Sequence, residues 1–311
     1  MKVFFIIPVF NDHVSLSKLL DDLKKIFNDT EYEPEFIIVD DASTKKIENI
    51  NEFQGTHYIK LKSNRGNQAA IHIGMCYLND LKVDYNYCIV MDSDGEDNPE
   101  NVPQLIKRCQ ILNNKYVIFA ARLKRNEGVV YKFFYFFYKL IFKILTGQKF
   151  NFGNFSCIPK KFLGNIIDIH TISFHYSASV LKSKIPYETI SFNKGKRYDG
   201  NTQTKITTII LHALNSLSIY YKEILVKFLI FSAIGWVFGI VSIIFIIMNK
   251  FFSSFVLIGW SSDMVLGLSI ITVMFLSMFF ACLFILLNKN PYEQSANNLQ
   301  SYKSIIDKLE I

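Results

Sequence analysis

The sequence predicts an α/β protein built on a mostly parallel sheet and followed by two membrane-spanning helices. Short apolar runs of strand length alternate with helical segments over residues 1–120, which is typical of a sheet covered by helices on both faces. Two later stretches, 228–248 and 264–287, contain no charged residue and are long enough to cross a bilayer as helices. Acidic residues also collect where two of the predicted strands end.

The N-terminal elements follow one another regularly. Apolar side chains at helical spacing predict helices over 15–27 and 68–78. Ligands of such sheets bind beyond the carboxyl ends of the strands, so we expect the acidic pairs after residues 39 and 91 to share one site. The apolar runs predict strands over 3–7, 36–39, 57–61, 87–91 and 116–121.

The two apolar stretches predict a membrane anchor over 227–288, between a domain over 1–226 and a tail over 289–311. Two buried helices of a soluble core are the alternative, but every face of both would then need to be covered. The N-terminus enters a strand-like run that is too short for a signal-peptide core. Five cysteines without metal-ligand spacing suit a reducing compartment.

Lysines predict the orientation of this anchor. The positive-inside rule places the domain and the tail in the cytoplasm and predicts a multi-pass protein of the inner (plasma) membrane. Only Lys250 lies in the connector between the spans. On the other side, Lys222 and Lys227 precede the first span, and Lys289, Lys303 and Lys308 follow the second.

The net charge of +7 is concentrated in one segment, where seven basic residues fall between 122 and 149 with Glu127 as the only acid. Lys132, Lys139 and Lys143 share one face of a predicted helix over 130–146, and the rest of its surface is aromatic or aliphatic. This pattern predicts an amphipathic helix in the membrane interface, although a core helix with a solvated lysine stripe has the same pattern. A second interfacial helix is predicted over 205–227, and anionic membrane lipids are favoured as partners over nucleic acid.

The acidic run after the strand over 87–91 is the strongest candidate for chemistry. Asp92, Asp94 and Glu96 repel one another unless a positive charge lies between them. A divalent cation shared with a phosphate group is the usual solution. Taken alone, the run favours a solvated acidic turn, and its position at a strand end beside Asp40-Asp41 reverses that preference.

Five motifs follow one another along the chain: Ile7-Pro8-Val9-Phe10-Asn11-Asp12, Val39-Asp40-Asp41-Ala42-Ser43, Asn64-Arg65-Gly66-Asn67-Gln68-Ala69-Ala70, Met91-Asp92-Ser93-Asp94-Gly95-Glu96-Asp97-Asn98-Pro99-Glu100 and Arg197-Tyr198-Asp199-Gly200-Asn201-Thr202. Together these motifs resemble family 2 glycosyltransferases of the polyprenyl-phosphate branch, which includes dolichol-phosphate mannose synthase and bactoprenol glucosyl transferases. They occur in the order and at the approximate spacing of that family, and Gly259-Trp260-Ser261-Ser262 between the spans is also similar. The resemblance implies a GT-A-type sheet, a nucleotide-sugar donor and a polyprenyl-phosphate acceptor.

The resemblance assigns roles to individual residues. Asp92, Asp94 and Glu96 would hold Mg²⁺ or Mn²⁺ against the donor diphosphate. Arg197 would face phosphate, and Arg122 and Arg125 would bind the acceptor phosphate, although these two fit a lipid-facing basic patch equally well. The implied catalytic residues are Asp94, Glu96, Asp97, Arg122 and Arg197, and the nucleotide-sugar-binding residues are Pro8, Phe10, Asp12, Val39, Asp41 and Asp92.

Three hypotheses for function stay open at this point. Relatives often carry Asp where this chain has Asn154, and Asn cannot act as a base; a phosphate acceptor needs no base, because its oxygen is already anionic. A sugar hydroxyl of a lipid-linked saccharide would need one, and Asp97 or Glu96 would be the candidate. A non-catalytic membrane scaffold is the third hypothesis. A homo-oligomer is compatible with the sequence.

Overall fold

A computed structural model describes residues 1–44, 55–122, 129–149, 152–199, 206–252, 260–288 and 298–310. The chain divides into two compact units. The first comprises Met1–Lys139, Lys149–Ile219 and Gln294–Ile311, and the second comprises Leu140–Gln148 and Tyr220–Glu293.

Within the described residues the chain forms eight strands and ten α-helices. The strands are Lys2–Val9 (β1), Glu33–Asp40 (β2), Thr56–Leu61 (β3), Tyr87–Val90 (β4), Val117–Arg122 (β5), Phe152–Pro159 (β6), Tyr187–Phe192 (β7) and Ile306–Glu310 (β8). The helices are His13–Phe27 (α1), Asn67–Asp80 (α2), Val102–Ile111 (α3), Val129–Thr146 (α4), Lys160–Ile167 (α5), Tyr176–Ser183 (α6), Ile206–Ser218 (α7), Tyr221–Phe252 (α8), Trp260–Asn288 (α9) and Asn298–Ile305 (α10).

All eight strands form one mixed sheet in the order β7-β5-β6-β4-β1-β2-β3-β8. Strands β1, β2, β3 and β4 pair in parallel, and so do β5 and β7. Strand β6 is antiparallel to both β4 and β5. The carboxyl ends of β1, β2, β4, β5 and β7 therefore meet at one edge of the sheet, together with the amino end of β6.

Side chains of β1 alternate between two cores, one on each face of the sheet. Phe4 and Ile6 belong to a buried cluster that includes residues of α2, α5 and α6. Phe5 and Ile7 belong to a second cluster with α1 and α3. The continuous apolar run from Val3 to Val9 in β1 is thus explained, because both faces of the strand are covered.

Two helices of the second unit are long and apolar enough to cross a membrane, over Tyr221–Phe251 and Ser262–Ile285. Only 11% of the most apolar 18-residue stretch of each helix is buried. The two helices therefore do not have the covered surface of core helices. α8 carries Gly235 and Gly239 four residues apart. A Cβ on these glycines would lie 2.6 Å from Phe275 and 2.1 Å from Thr272 of α9, respectively, so the close packing of the two helices depends on them.

The structure confirms the predicted α/β sheet and the pair of apolar helices, and it adds elements that the sequence pattern did not predict. The interfacial helix expected over 205–227 is divided, since α7 ends at Ser218 and α8 begins at Tyr221. The hydroxyls of Ser216 and Ser218 donate to carbonyls three residues earlier, which competes with continuation of the helix. The residues expected to be a tail contribute β8, which pairs antiparallel with β3.

Candidate active site

A turn of four acidic residues follows β4 at the carboxyl edge of the sheet. Asp92 Oδ1 accepts a hydrogen bond from Asn67 Nδ2 of α2 at 2.9 Å. Asp97 is 6% exposed, and its Oδ2 accepts from the backbone N–H of Asp92 at 3.1 Å. Asp97 therefore closes the turn on itself and fixes the direction in which the other carboxylates leave the strand.

A strap of residues 193–199 follows β7 and crosses this turn. Arg197 donates from one terminal nitrogen to Asp94 Oδ2 at 2.5 Å and from Nε to Glu96 Oε1 at 3.3 Å. Lys194 Nζ lies 2.9 Å from Glu96 Oε2. The positive charge that the acidic cluster requires is thus supplied in this structure by two side chains of the strap.

The backbone of the strap is bonded to the turn independently of these ion pairs. The N–H of Gly195 donates to Glu96 O at 2.9 Å, and that of Tyr198 donates to Asp94 O at 3.0 Å. A Cβ on Gly195 would lie 2.3 Å from Gly95 O, so this close approach requires a glycine.

Tyr198 links the far end of the strap to α1. Its hydroxyl donates to Asp22 Oδ2 at 2.7 Å, and Lys18 Nζ donates to its carbonyl at 3.3 Å. Its ring lies over Gly95, which has φ of +84°. The strap therefore spans the sheet edge from β7 to α1 above the acidic turn.

The electrostatics of Arg197 follow from these contacts. Burial alone would lower the pKa of the guanidinium, but Asp94 and Glu96 outweigh it, and the pKa is raised above its ordinary value. Arginine stays charged at all ordinary pH values, so Arg197 is a permanent positive charge in the strap.

The carboxylates of the turn have the ligand chemistry that a divalent cation requires. Carboxylate oxygens are the ligands that Mg²⁺ and Mn²⁺ prefer, and Asp92, Asp94 and Glu96 present them from one turn. Among the described residues, no three His, Cys, Asp or Glu side chains are arranged around a common metal position. In this structure Arg197 and Lys194 contact oxygens of Asp94 and Glu96 that a metal would use.

The first two motifs lie at the same edge of the sheet. Pro8 is buried in β1 and pairs in register with Val39 of β2, which is fully buried in the core. Phe10 is 48% exposed just beyond β1. Asp12 is half-buried and immediately precedes α1, without a side-chain capping bond to it. Their predicted contact with a nucleotide stays a prediction.

Asp41 organises the neighbouring loop. Its two carboxylate oxygens accept from the backbone N–H groups of Arg65 and Gly66 at 2.6 and 2.7 Å. Burial raises the pKa of Asp41 above its ordinary value, and the two hydrogen bonds counteract that shift. The preceding Asp40 is fully buried and accepts from the Tyr58 hydroxyl at 2.6 Å.

The structure describes one of the two arginines that were predicted to bind the acceptor phosphate. Arg122 is the last residue of β5, so its backbone reaches the same edge and pairs in register with Phe192 just before the strap. Arg125 lies outside the described residues. Both assignments to an acceptor phosphate stay predictions.

Asn154 belongs to a polar network rather than standing alone. Its Oδ1 accepts from Gln68 Nε2 at 3.2 Å, and Gln68 Oε1 accepts from the backbone N–H of Tyr176 at 2.5 Å. The Tyr176 hydroxyl shares a hydrogen bond of 2.8 Å with Ser156. The network connects α2, β6 and α6 beside the turn.

Sequence reasoning missed several contributors to the site. Lys194, Tyr198 and Asn67 had no assigned role, and Asp22 and Lys18 of α1 were not considered. The basic run Lys194-Gly195-Lys196-Arg197 was a usable signal for Lys194, because it follows a predicted acidic site in a sheet protein. No local pattern marks Asp22 as the partner of Tyr198, which lies 176 residues away.

The sequence profile described as glycosyl transferase family 2 matches residues 4–172. The undecaprenyl-phosphate 4-deoxy-4-formamido-L-arabinose transferase of Proteus mirabilis is 28% identical over 173 residues, which cover 54% of this chain and 50% of that protein. The chain spans about half the length of the curated relatives it matches.

Two solved structures share the fold. Mannosyl-3-phosphoglycerate synthase from Rubrobacter xylanophilus has a TM-score of 0.53 at 10% identity, covering 70% of this chain and 72% of its own. Glucosyl-3-phosphoglycerate synthase from Mycobacterium tuberculosis, in complex with Mn²⁺, UDP-glucose and phosphoglyceric acid, has a TM-score of 0.50 at 10% identity, covering 72% and 79%. At these identities the likeness extends to the GT-A-type fold alone.

Proposed function

The chain belongs to glycosyl transferase family 2, and from that premise we propose that it transfers a sugar from a nucleotide-sugar donor to polyprenyl phosphate. The transfer occurs at the cytoplasmic face of the inner (plasma) membrane, with inversion at the anomeric carbon. The product would serve cell-surface glycan assembly or modification. The relative from Proteus mirabilis, whose name includes undecaprenyl phosphate, supports the choice of acceptor.

One observation carries the proposal: the acidic turn after β4 lies directly beneath a strap that presents Arg197 and Lys194. A diphosphate leaving group needs positive charge where its own negative charge develops. Arg197 has the planar fork that matches phosphate oxygens. The arrangement therefore suits departure of a nucleoside diphosphate better than binding alone.

Asp92, Asp94 and Glu96 are the residues that would hold Mg²⁺ or Mn²⁺. When bound, such a cation would offset charge on the diphosphate oxygens. The structural neighbour from Mycobacterium tuberculosis was solved with Mn²⁺ and UDP-glucose, which supports a divalent cation with a nucleotide sugar here. Pro8, Phe10, Asp12, Val39 and Asp41 are proposed to form the nucleotide pocket.

The choice of acceptor depends on whether the attacking oxygen must lose a proton. A phosphate oxygen attacks the anomeric carbon without losing a proton, so Asp97 need not act as a base. Asp97 instead closes the turn by accepting a hydrogen bond from the backbone N–H of Asp92. In the alternative, transfer to a hydroxyl of a lipid-linked saccharide, Asp97 or Glu96 would have to take a proton. The buried position of Asp97 and its backbone hydrogen bond favour the phosphate acceptor. Arg122 and Arg125 are proposed to bind that phosphate.

Membrane attachment is supported by exposed apolar side chains on two helices and by the course of the chain after the apolar helices. α4 exposes Phe136, Phe137 and Ile144, and α7 exposes Leu211 and Leu214, as interfacial helices would. Strand β8 follows the two apolar helices yet pairs with β3 of the first unit, so both ends of the helical pair belong on one side of a membrane. The lysine distribution favours the cytoplasmic side.

The test is release of nucleoside diphosphate by the detergent-solubilised full chain on addition of undecaprenyl phosphate, across a panel of nucleotide sugars. We expect release that requires both substrates and stops in EDTA. Asp94→Asn removes a carboxylate that contacts Arg197 and should reduce turnover at least about 100-fold, as loss of one electrostatic group in an active site commonly does.

Asp84→Asn is the matched control. It makes the same charge change before β4, at the opposite edge of the sheet, where the Asp84 side chain is 97% exposed beside Lys160. This variant should keep wild-type turnover. Full turnover of Asp94→Asn, or full turnover of the wild type in EDTA, would refute the proposal.

A further inference from the structure

The strap carries Lys194 as a second cation, which contacts the same carboxylate as Arg197. Lys194 Nζ contacts Glu96 Oε2, and its side chain is 31% exposed. Lys194, Glu96 and Gly153 also line one small cleft at the ends of β5 and β7. We propose that Lys194 is a binding residue for the donor diphosphate, and that in the nucleotide-free protein it neutralises Glu96 instead. This inference rests on the proposed function.

The position of the strap does not depend on the Lys194 side chain. Gly195 and Tyr198 are bonded through their backbone N–H groups to the acidic turn, and the Tyr198 hydroxyl is bonded to Asp22. Removing the lysine charge therefore leaves the strap backbone in place. Effects of a substitution at Lys194 then report the charge itself.

Lys194 is better suited to change partners than Arg197. Arg197 contacts Asp94 and Glu96 together, so moving it breaks two ion pairs. Lys194 contacts one carboxylate oxygen through a flexible four-carbon stem with a compact charge. Its ammonium can turn from Glu96 toward a neighbouring phosphate oxygen without a backbone shift.

The contact with Glu96 has a second consequence, for metal binding. Glu96 is one of three carboxylates with the donor chemistry for a divalent cation, and an ammonium next to it opposes an added positive charge. Lys194 therefore weakens binding of a metal ion alone and strengthens binding of an anionic nucleotide. Removing its charge should shift the two affinities in opposite directions, which a general loss of structure cannot do.

The experiment compares Lys194→Met with the wild type in the detergent-solubilised full chain. Binding of Mn²⁺ without nucleotide is followed by the electron paramagnetic resonance signal of the free ion. Binding of UDP, GDP and dTDP at saturating Mn²⁺ is followed by calorimetry. We expect Mn²⁺ to bind about two- to fivefold more tightly and the preferred diphosphate about two- to fivefold more weakly, the range of a partly exposed ion pair.

Lys196→Met is the matched control, because it removes the same charge from the same strap. No ion pair of the Lys196 side chain is found in the part of the chain that the structure describes. It should leave both affinities within about 1.5-fold of the wild type, the lower limit of an exposed pair. Lys194→Arg, which keeps the charge, should retain most of the nucleotide affinity.

Two results separate this inference from the proposed function. If the wild type binds a nucleoside diphosphate and Lys194→Met binds Mn²⁺ and nucleotide as Lys196→Met does, the inference fails and the proposed function stands. If the wild type binds none of the diphosphates, both fail. Weaker binding of both Mn²⁺ and nucleotide by Lys194→Met would also overturn the inference that Lys194 exchanges Glu96 for the diphosphate.

Discussion

Replacing Gly95 by alanine should release the strap from the acidic turn. Gly95 has φ of +84°, where an alanine costs about 1 kcal/mol. Its Cβ would lie 2.5 and 2.7 Å from two carbons of the Tyr198 ring, well inside contact distance. Withdrawal of the ring from the new Cβ would break the hydrogen bond to Asp22, which contributes about 1 kcal/mol.

The two costs together destabilise the closed strap by about 2 kcal/mol, or about 30-fold in its opening equilibrium. Limited proteolysis measures this directly, because trypsin cuts after lysine and arginine and the strap contains Lys194, Lys196 and Arg197. When opening is fast, cleavage follows the population of the open form. Mass spectrometry of the peptides should show these bonds cut about 30-fold faster in Gly95→Ala.

The control is Gly164→Ala in α5, where an added Cβ meets no atom within 4 Å. That change should leave cleavage of the strap at the wild-type rate, since alanine is the better helix former there. If Gly95→Ala is also cut in the strap at the wild-type rate, the ring and the glycine do not hold the strap closed, and the reasoning is wrong.

Two further predictions concern stability. Burial, with a contribution from His212, lowers the pKa of His175 to about 3; because the unfolded side chain has a pKa near 6.5, the folded state loses stability as the pH falls below 6.5. Between pH 7 and pH 5 the loss from this group is about 2 kcal/mol. His175→Asn, which keeps the acceptor that caps α6, should flatten the pH dependence of thermal unfolding; an unchanged slope would contradict the assignment. In the second unit, Gly239→Leu should lower the unfolding free energy by about 1–3 kcal/mol through its clash with Thr272 of α9. Gly267→Leu, which meets no atom within 4 Å, should change it little, and equal thermal shifts for the two variants would refute this packing.

Much of the sheet was predictable because its central strands contain continuous apolar runs. The runs in β1, β2 and β4 are buried on both faces, so each can only be an inner strand of a covered sheet. The acidic turn was predictable for the same reason, since it follows β4 directly. The two apolar helices are recognisable from composition alone, because a bilayer requires length and hydrophobicity and little else.

The remaining strands depend on their neighbours. β6 contains Gly, Asn, Ser and Pro within eight residues, which is a poor strand pattern, yet it pairs on both sides with β4 and β5. β8 is a short polar segment that is a strand only because β3 offers it an open edge. Neither partner is visible in a local window of sequence.

The strap was the least predictable part of the site. Arg197 and Asp94 are 103 residues apart, and the pairing of the strap with the turn uses backbone groups that any residue carries. The sequence indicated that the acidic cluster needs a positive charge, and a metal ion was the expected source. The structure adds Arg197 and Lys194 as a source within the chain.

The central claim is transfer of a sugar to the phosphate of a polyprenyl lipid, and the lipid product tests it most directly. The full chain is incubated with undecaprenyl phosphate and the nucleotide sugar that supports release of diphosphate, and the extracted lipid is measured by mass spectrometry before and after mild acid. The account predicts a lipid heavier by one sugar residue, which mild acid returns to undecaprenyl phosphate. An unmodified lipid, or an acid-stable product formed only on a lipid-linked saccharide, would contradict it.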